Sequence, residues 1–332
     1  MKLDPRTGEQ RAWNLPEPSA GVHDMTQDRK GEIWVLEFAR GTEAGKIDSS
    51  GGGTELAPRL LGFNPKTEKW EHIVDLDPDN VIRAKRKGAL MGGLIDSKGK
   101  VWVHWMLSGA ISSYDPVTHK TATYLMPTHE ATPYGACIDP FDNIWEAEWN
   151  GGKLARFDQS TGAWTEFVPP GYPVNFRRGP ESDAEGNIWV GMWAEGNIPG
   201  KIAKLDPKTG RWQTWDVPHR GAQPYEASID RDGNVWFPDT VQPDRPEANA
   251  RLNPRTGKFT FYPRLQFQAD STRVNHAEDG SVHYTARYGS GKDWSGFGVL
   301  FPDKDAITTL APKMLNGAPG YGFKVGAVKS TR

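Results

Sequence analysis

The chain has 332 residues but a single cysteine, Cys137. No disulfide can form within it, so its stability has to come from packing, and the compartment stays open on this evidence. Cys137 itself reads as a small apolar residue on an inner strand. No apolar run approaches the ~20 residues that a membrane-spanning helix needs, so no membrane span is expected. Charge of one sign is not in excess: 40 Lys and Arg stand against 42 Asp and Glu, a net charge of −2. The electrostatic footprint of a nucleic-acid binder is therefore missing. No window of a dozen residues carries a helical period. The HExxH, GxGxxG, GxSxG, P-loop and CxxC patterns are absent too. No signal-peptide pattern is present. The chain opens at Met1-Lys2-Leu3-Asp4, almost directly on a turn, and the expectation is an exported chain, periplasmic or secreted, whose signal is removed.

What is abundant is turn chemistry and aromatics: 37 Gly, 26 Pro and 14 Trp. Two turns recur. The first is LDPRTG (Leu3–Gly8), FNPKTE (Phe63–Glu68), YDPVTH (Tyr114–His119), FDQSTG (Phe157–Gly162), LDPKTG (Leu205–Gly210) and LNPRTG (Leu252–Gly257), with a degraded copy at Phe301–Ala306. The second is an Asp-x-x-Gly turn running into Trp34, Trp102, Trp145, Trp189 and Trp236; in a sixth copy His283 stands where Trp would. Asp-Pro or Asn-Pro opens the first turn, and Gly supplies the positive φ that closes it. Flanks such as Trp212–Val217 alternate apolar and polar with period two, as strands do. The period is roughly 45 residues, the length of a propeller blade.

The expected fold is all-β: one domain, a seven-bladed β-propeller of four-stranded antiparallel blades, with six blades as the alternative. Blades are expected at 20–74, 88–127, 132–168, 174–217, 222–262 and 270–311. Residues 1–16 supply the outer strands of a closing blade, and the tail at 313–332 (YGFKVGAV, Tyr321–Val328) its remaining strand. The insertion Arg40–Pro58 is a surface loop. With strands A to D counted outward, both recurring turns lie on one rim. Sites are expected on the other, where the D–A linkers and B–C loops run.

Each strand A begins, five residues before the turn Asp, with a different side chain: His23, Met91, Tyr134, Arg178, Tyr225 and Thr272. Asp24, Glu226 and Arg273 stand beside them. Each strand B ends, three residues past the Trp, in Glu37, Trp105, Glu148, Met192, Asp239 or Ala286. His23, Glu148, Tyr225 and Asp239 are expected to open onto one mouth. Acid, base and imidazole groups in one cleft suit general acid–base chemistry, and His23 is the natural base because imidazole titrates near neutrality. The catalytic candidates are His23, Tyr134, Tyr225, Arg178 and Arg273. Glu37, Glu148, Asp239 and Glu226 are the metal-ligand candidates; carboxylates without paired His suit Mg²⁺ or Ca²⁺ better than Zn²⁺. The partner is a small-molecule or oligomeric substrate, and the chain is read as a monomer.

PYGACIDPFDNIWEAEW (Pro133–Trp149), the following Gly151–Pro169, and PYEASIDRDGNVW (Pro224–Trp236) resemble the blades of the virginiamycin B lyase (streptogramin lyase) family of seven-bladed propellers. The resemblance implies a lyase that opens a lactone ester by elimination, with Mg²⁺, a base His at a strand-A start and acidic ligands nearby. The His falls on His23 and the strand-B carboxylate on Glu37. The family's Pro-His-Gly triplet is here Val22-His23-Asp24, its acidic residue two places earlier is Gly21, and its second His is replaced by Thr272 or Met91. Three functions follow as expectations: a lyase acting on an ester- or ether-bearing molecule, a metal-dependent lactonase or hydrolase using the same residues, and a non-catalytic binding module.

Overall fold

The structure, a computed structural model, describes residues 1–4, 7–17, 20–39, 58–79, 81–82, 90–106, 108–176, 178–239, 248–264, 271–286, 296–302 and 307–310. The insertion at 40–57 and the tail at 321–328 lie outside the described residues.

Every element among the described residues is a β-strand. The N-terminal pair is β1 (Lys2–Leu3) and β2 (Gln10–Arg11). Six four-stranded antiparallel sheets follow, each in chain order. The first holds β3 (Gly21–Gln27), β4 (Ile33–Ala39), β5 (Arg59–Asn64) and β6 (Lys69–Asp75). The second holds β7 (Leu90–Ile95), β8 (Val101–Trp105), β9 (Ala110–Asp115) and β10 (Lys120–Leu125). The third holds β11 (Pro133–Ile138), β12 (Ile144–Glu148), β13 (Leu154–Asp158) and β14 (Ala163–Phe167). The fourth holds β15 (Glu181–Ser182), β16 (Ile188–Met192), β17 (Lys201–Asp206) and β18 (Arg211–Asp216). The fifth holds β19 (Ser228–Ile229), β20 (Val235–Asp239), β21 (Ala248–Asn253) and β22 (Lys258–Pro263). The sixth holds β23 (Val274–His276), β24 (Val282–Ala286), β25 (Gly296–Leu300) and β26 (Ile307–Leu310).

The fold is thus an all-β propeller with six blades among the described residues, the alternative count rather than the seven that the sequence favours. The reason lies at the N-terminus. The Asp4 turn closes correctly, with the Gly8 N–H on the Asp4 carbonyl at 2.8 Å. Yet it joins strands of only two residues each, Lys2 opposite Arg11 and Leu3 opposite Gln10. A two-stranded ribbon of that length is no blade. No helix among the described residues is long and apolar enough to cross a membrane.

The chain divides into two compact units, Asn14–Ile188 with Leu205–Trp212, and Met1–Trp13 with Trp189–Lys204 and Gln213–Arg332. The same local chemistry builds both. The turn Asp accepts the indole N–H of the Trp six residues on: Trp102 to Asp96 at 3.0 Å, Trp145 to Asp139 at 2.9 Å, Trp236 to Asp230 at 2.8 Å. That bond lets the indole be buried without leaving its donor unmet, and Trp34, Trp145 and Trp236 are at most 1% exposed. Gly99, Gly186 and Gly233 take φ of 84, 85 and 77° at these turns, the left-handed region that glycine tolerates best. The second strands β8, β12, β16 and β20 are buried along their whole length, whereas β6 and β18, fourth in their sheets, alternate with solvent. Cys137 is buried on β11, as read.

Candidate active site

In the unit Asn14–Ile188 with Leu205–Trp212, two irregularities of register create the candidate site. In β3, Val22 lies opposite Glu37 and Asp24 opposite Leu36, so His23 is an extra residue with no opposite number. In β11, Pro133 lies opposite Glu148 and Gly135 opposite Ala147, so Tyr134 is extra in the same way. A bulge turns the extra side chain out of the ladder, which is why bulges recur beside active sites. Both bulges fall at the start of the first strand, opposite the end of the second.

The two bulged residues meet. The rings of His23 and Tyr134 are 6.4 Å apart at 59°. The Arg178 guanidinium lies 5.4 Å over the Tyr134 ring and reaches Asp24 Oδ2 at 3.4 Å. Trp149 covers Tyr134 from another side, 5.2 Å between ring centres. His23, Asp24, Tyr134 and Arg178 are all half-buried, so the cluster is reachable from water. A cation over a ring at such a site contributes ~0.5–1 kcal/mol. The long, partly wet Arg178–Asp24 pair adds little more, so Arg178 is placed without being locked. Gly135 makes the approach feasible: a Cβ there would lie 2.2 Å from Gly179 N and 2.9 Å from the Arg178 carbonyl carbon.

The strand-B carboxylates are built differently. Glu37 is fully buried and takes a two-pronged ion pair from Arg59, Nε at 2.8 Å and Nη2 at 2.7 Å. Glu148 is fully buried too, in space that exists because residue 151 is glycine; a Cβ there would sit 1.9 Å from Oε2. Burial first, and then the Glu166 charge, push its carboxyl up to about 8, against the pull of Lys153. Glu148 therefore carries a proton at neutral pH. Beside it, Lys153 Nζ meets Glu166 Oε2 at 2.5 Å and Thr128 Oγ1 at 2.8 Å.

In the other unit the same register returns. Pro224 bridges Asp239 as Pro133 faces Glu148, and Tyr225 follows Pro224 as Tyr134 follows Pro133. Here Tyr225 is buried, 5.6 Å from the Trp193 ring, and its N–H is bound to the Pro238 carbonyl. Asp239 accepts from Gln223 N at 2.8 Å and pairs with His219 Nε2 at 2.7 Å. Glu226 pairs with Arg273 Nε at 3.0 Å.

Within its own unit, then, the structure brings together His23, Tyr134 and Arg178, with Glu37 and Glu148 buried behind the same strand ends. Tyr225, Glu226, Asp239 and Arg273 form contacts within theirs. Three of the four carboxylates face cationic or imidazole partners, and among the described residues no three His, Cys, Asp or Glu side chains converge to hold a metal ion.

Sequence reasoning assigned no role to Trp149, although it ends the PYG…EW stretch. It also passed over the pairing of His104 Nδ1 with Glu146 Oε2, at 3.3 Å with both side chains 1% exposed. Burial raises the Glu146 carboxyl above its ordinary value, opposed by His104. The signal was there: a polar residue inside each of the buried runs VWVHW and IWEAE. The Gly92 bulge, φ 57°, leaves the His104 ring its room; a Cβ would lie 2.3 Å from Cε1.

No protein-family model matches the chain, and no curated protein matches it in sequence. Solved structures do resemble it. One is a catalytically inactive histidine-to-alanine form of virginiamycin B lyase from Staphylococcus aureus with Quinupristin: 17% identity, TM-score 0.70, covering 92% of this chain and 89% of that one. A selenomethionine form of the same lyase gives 17% identity and TM-score 0.70 over 91% and 88%. The extracellular domain of a protein described as a hybrid two component system, from B. thetaiotaomicron, gives 12% identity and TM-score 0.62, covering 91% of this chain and 34% of that one. At these identities the likeness establishes one thing: the chain has the propeller fold that virginiamycin B lyases have.

Proposed function

We propose that this chain is a carbon–oxygen lyase whose working residues are His23, Tyr134 and Arg178. The observation that carries the reading is the pair of bulges that turn His23 and Tyr134 toward each other beneath a guanidinium. An elimination needs three things that these groups supply. His23 takes the proton from the carbon next to an electron-withdrawing carbonyl or carboxyl. Arg178 neutralises the negative charge that develops there. The carbon–oxygen bond then breaks as the carbon–carbon double bond forms, and the Tyr134 hydroxyl gives the leaving oxygen its proton. Trp149 and Tyr134 present ring faces to an ester- or ether-bearing substrate. Glu37 and Glu148 act from behind, fixing the strand ends opposite the two bulges.

A structural neighbour that is inactive as a histidine-to-alanine lyase supports a histidine base in this fold. The hydrolase reading asks Glu37, Glu148, Glu226 and Asp239 to hold a cation, whereas Glu37, Asp239 and Glu226 are engaged by Arg59, His219 and Arg273. A ligand-binding module is the second reading. It is favoured by the Tyr134–Trp149 aromatic pair. Turnover separates the two. A lyase acting on an acyclic ester or uronate oligomer raises ultraviolet absorbance as its double bond forms, and His23→Ala abolishes the rise. A binding module gives no rise, and His23→Ala leaves ligand affinity intact.

A further inference from the structure

A recess of about 370 Å³ lies beside the linker that leads into β11; its lining, which includes Val81, Ile82, Ser108, Leu125, Met126 and Thr128, shares no residue with the His23 cluster. It sits in the range of small-ligand pockets. Its walls are anchored from several directions. The Ile82 N–H is bound by the Asp77 carboxylate at 3.1 and 3.2 Å. The Met126 N–H is bound by the Gly109 carbonyl at 2.8 Å. Thr128 Oγ1 is held between Lys153 and Glu166, at 2.8 and 2.6 Å.

The linker that forms one wall is also strained. Glu130 and Thr132 adopt φ of 60 and 51°. For a β-branched residue such as Thr132 that is an outlier, of the kind that persists at ligand sites when surroundings enforce it. Here they do: the Trp149, Asn150 and Gly151 N–H groups bind the carbonyls of Thr132 and Ala131, and Asn150 Nδ2 binds Thr132 Oγ1 at 2.8 Å. Apolar surface is left open at the mouth, where Val81 is 39% and Leu125 48% exposed. Deeper in, Ile82 and Met126 are buried. Ser108 Oγ has no hydrogen-bond partner among the described residues.

We propose that this recess binds a short aliphatic molecule ending in a neutral hydroxyl or carbonyl. The chain of the ligand lies against Val81, Ile82, Leu125 and Met126, and its polar end meets the Ser108 hydroxyl. Among the described residues the lining holds no lysine or arginine to meet an anionic end, and the nearby Lys153 is already matched by Glu166. The site is independent of the elimination chemistry.

The test is methyl NMR of the protein carrying ¹³C-methyl methionine, with 1-hexanol and hexanoate as the probes and Met126→Leu to assign the reporter. Saturable movement of the Met126 methyl with 1-hexanol is expected, with Met25, 54% exposed, unmoved. Hexanoate should bind at least tenfold more weakly. Leu125→Asp should weaken 1-hexanol at least tenfold with the melting temperature kept, and His23→Ala should leave it unchanged. An unmoved Met126, a linear response equal to that of Met25, or equal affinity for hexanoate overturns the proposal.

Discussion

Glu148 is the residue whose chemistry departs furthest from its type. Its folded-state carboxyl titrates near 8, while in the unfolded chain it returns to about 4.5. The sign follows from where the proton resides. Between those values the folded protein holds a proton that unfolding releases, so stability falls as pH rises from about 4.5 to about 8 and is flat in this respect below. The slope is at most ~1.4 kcal/mol per pH unit. Glu148→Gln should remove it, so that chemical denaturation at pH 5 and pH 8 gives more nearly equal stabilities than in the parent, and the variant should be the more stable at pH 8. Asp139 shows the opposite design. It accepts Phe141 N, Asn143 N, Asn143 Nδ2 and Trp145 Nε1, all at 2.8–2.9 Å. Asp139→Ala orphans buried donors and should cost at least ~2 kcal/mol, whereas Lys201→Ala, which breaks the exposed ion pair with Asp216, should cost no more than ~0.5 kcal/mol. Urea midpoints distinguish the two.

At the scale of the strand, the inner edge of the third sheet carries the site. Gly135 lies against the backbone of Gly179 so closely that Gly135→Ala cannot be absorbed by rotating a side chain. It should cost at least ~1–3 kcal/mol and move Arg178 off Tyr134, weakening turnover even where the fold survives. This is also where reading the sequence reached its limit. The ends of the second strands were legible, because Glu37, Glu148 and Asp239 stand at a fixed distance from a Trp and the period does the counting. The bulges at His23 and Tyr134 were not, since an extra residue shows only against the partner strand. The partners of the carboxylates were equally hidden: nothing about Arg59 or Lys153 in the chain says which acid it will meet. The Asp-to-indole bonds could have been found, because the six-residue spacing repeats without exception from Trp34 to Trp236.

At the scale of the whole chain, repetition specified the fold, and of the two blade counts it left open the described residues show six. Each turn motif was counted as a blade, but Leu3–Gly8 joins strands of two residues, and the tail assigned to complete that blade lies outside the described residues. Repetition also suggested that carboxylates at one register form one metal site; Glu37, Asp239 and Glu226 face Arg59, His219 and Arg273, while both oxygens of Glu148 are buried without a hydrogen-bond partner among the described residues. EDTA should therefore leave the melting temperature unchanged within about a degree, whereas loss of a tightly bound cation would lower it by several. The central claim is that His23, turned out of β3 by its bulge, is the base of an elimination. The most direct measurement is ultraviolet-monitored turnover of a panel of ester- and uronate-bearing substrates by the parent, His23→Ala and Tyr134→Phe proteins, with circular dichroism to confirm folding. The account predicts double-bond formation by the parent, a loss of at least 10²-fold in His23→Ala and a smaller loss in Tyr134→Phe. A His23→Ala protein that turns over at the parental rate would contradict it.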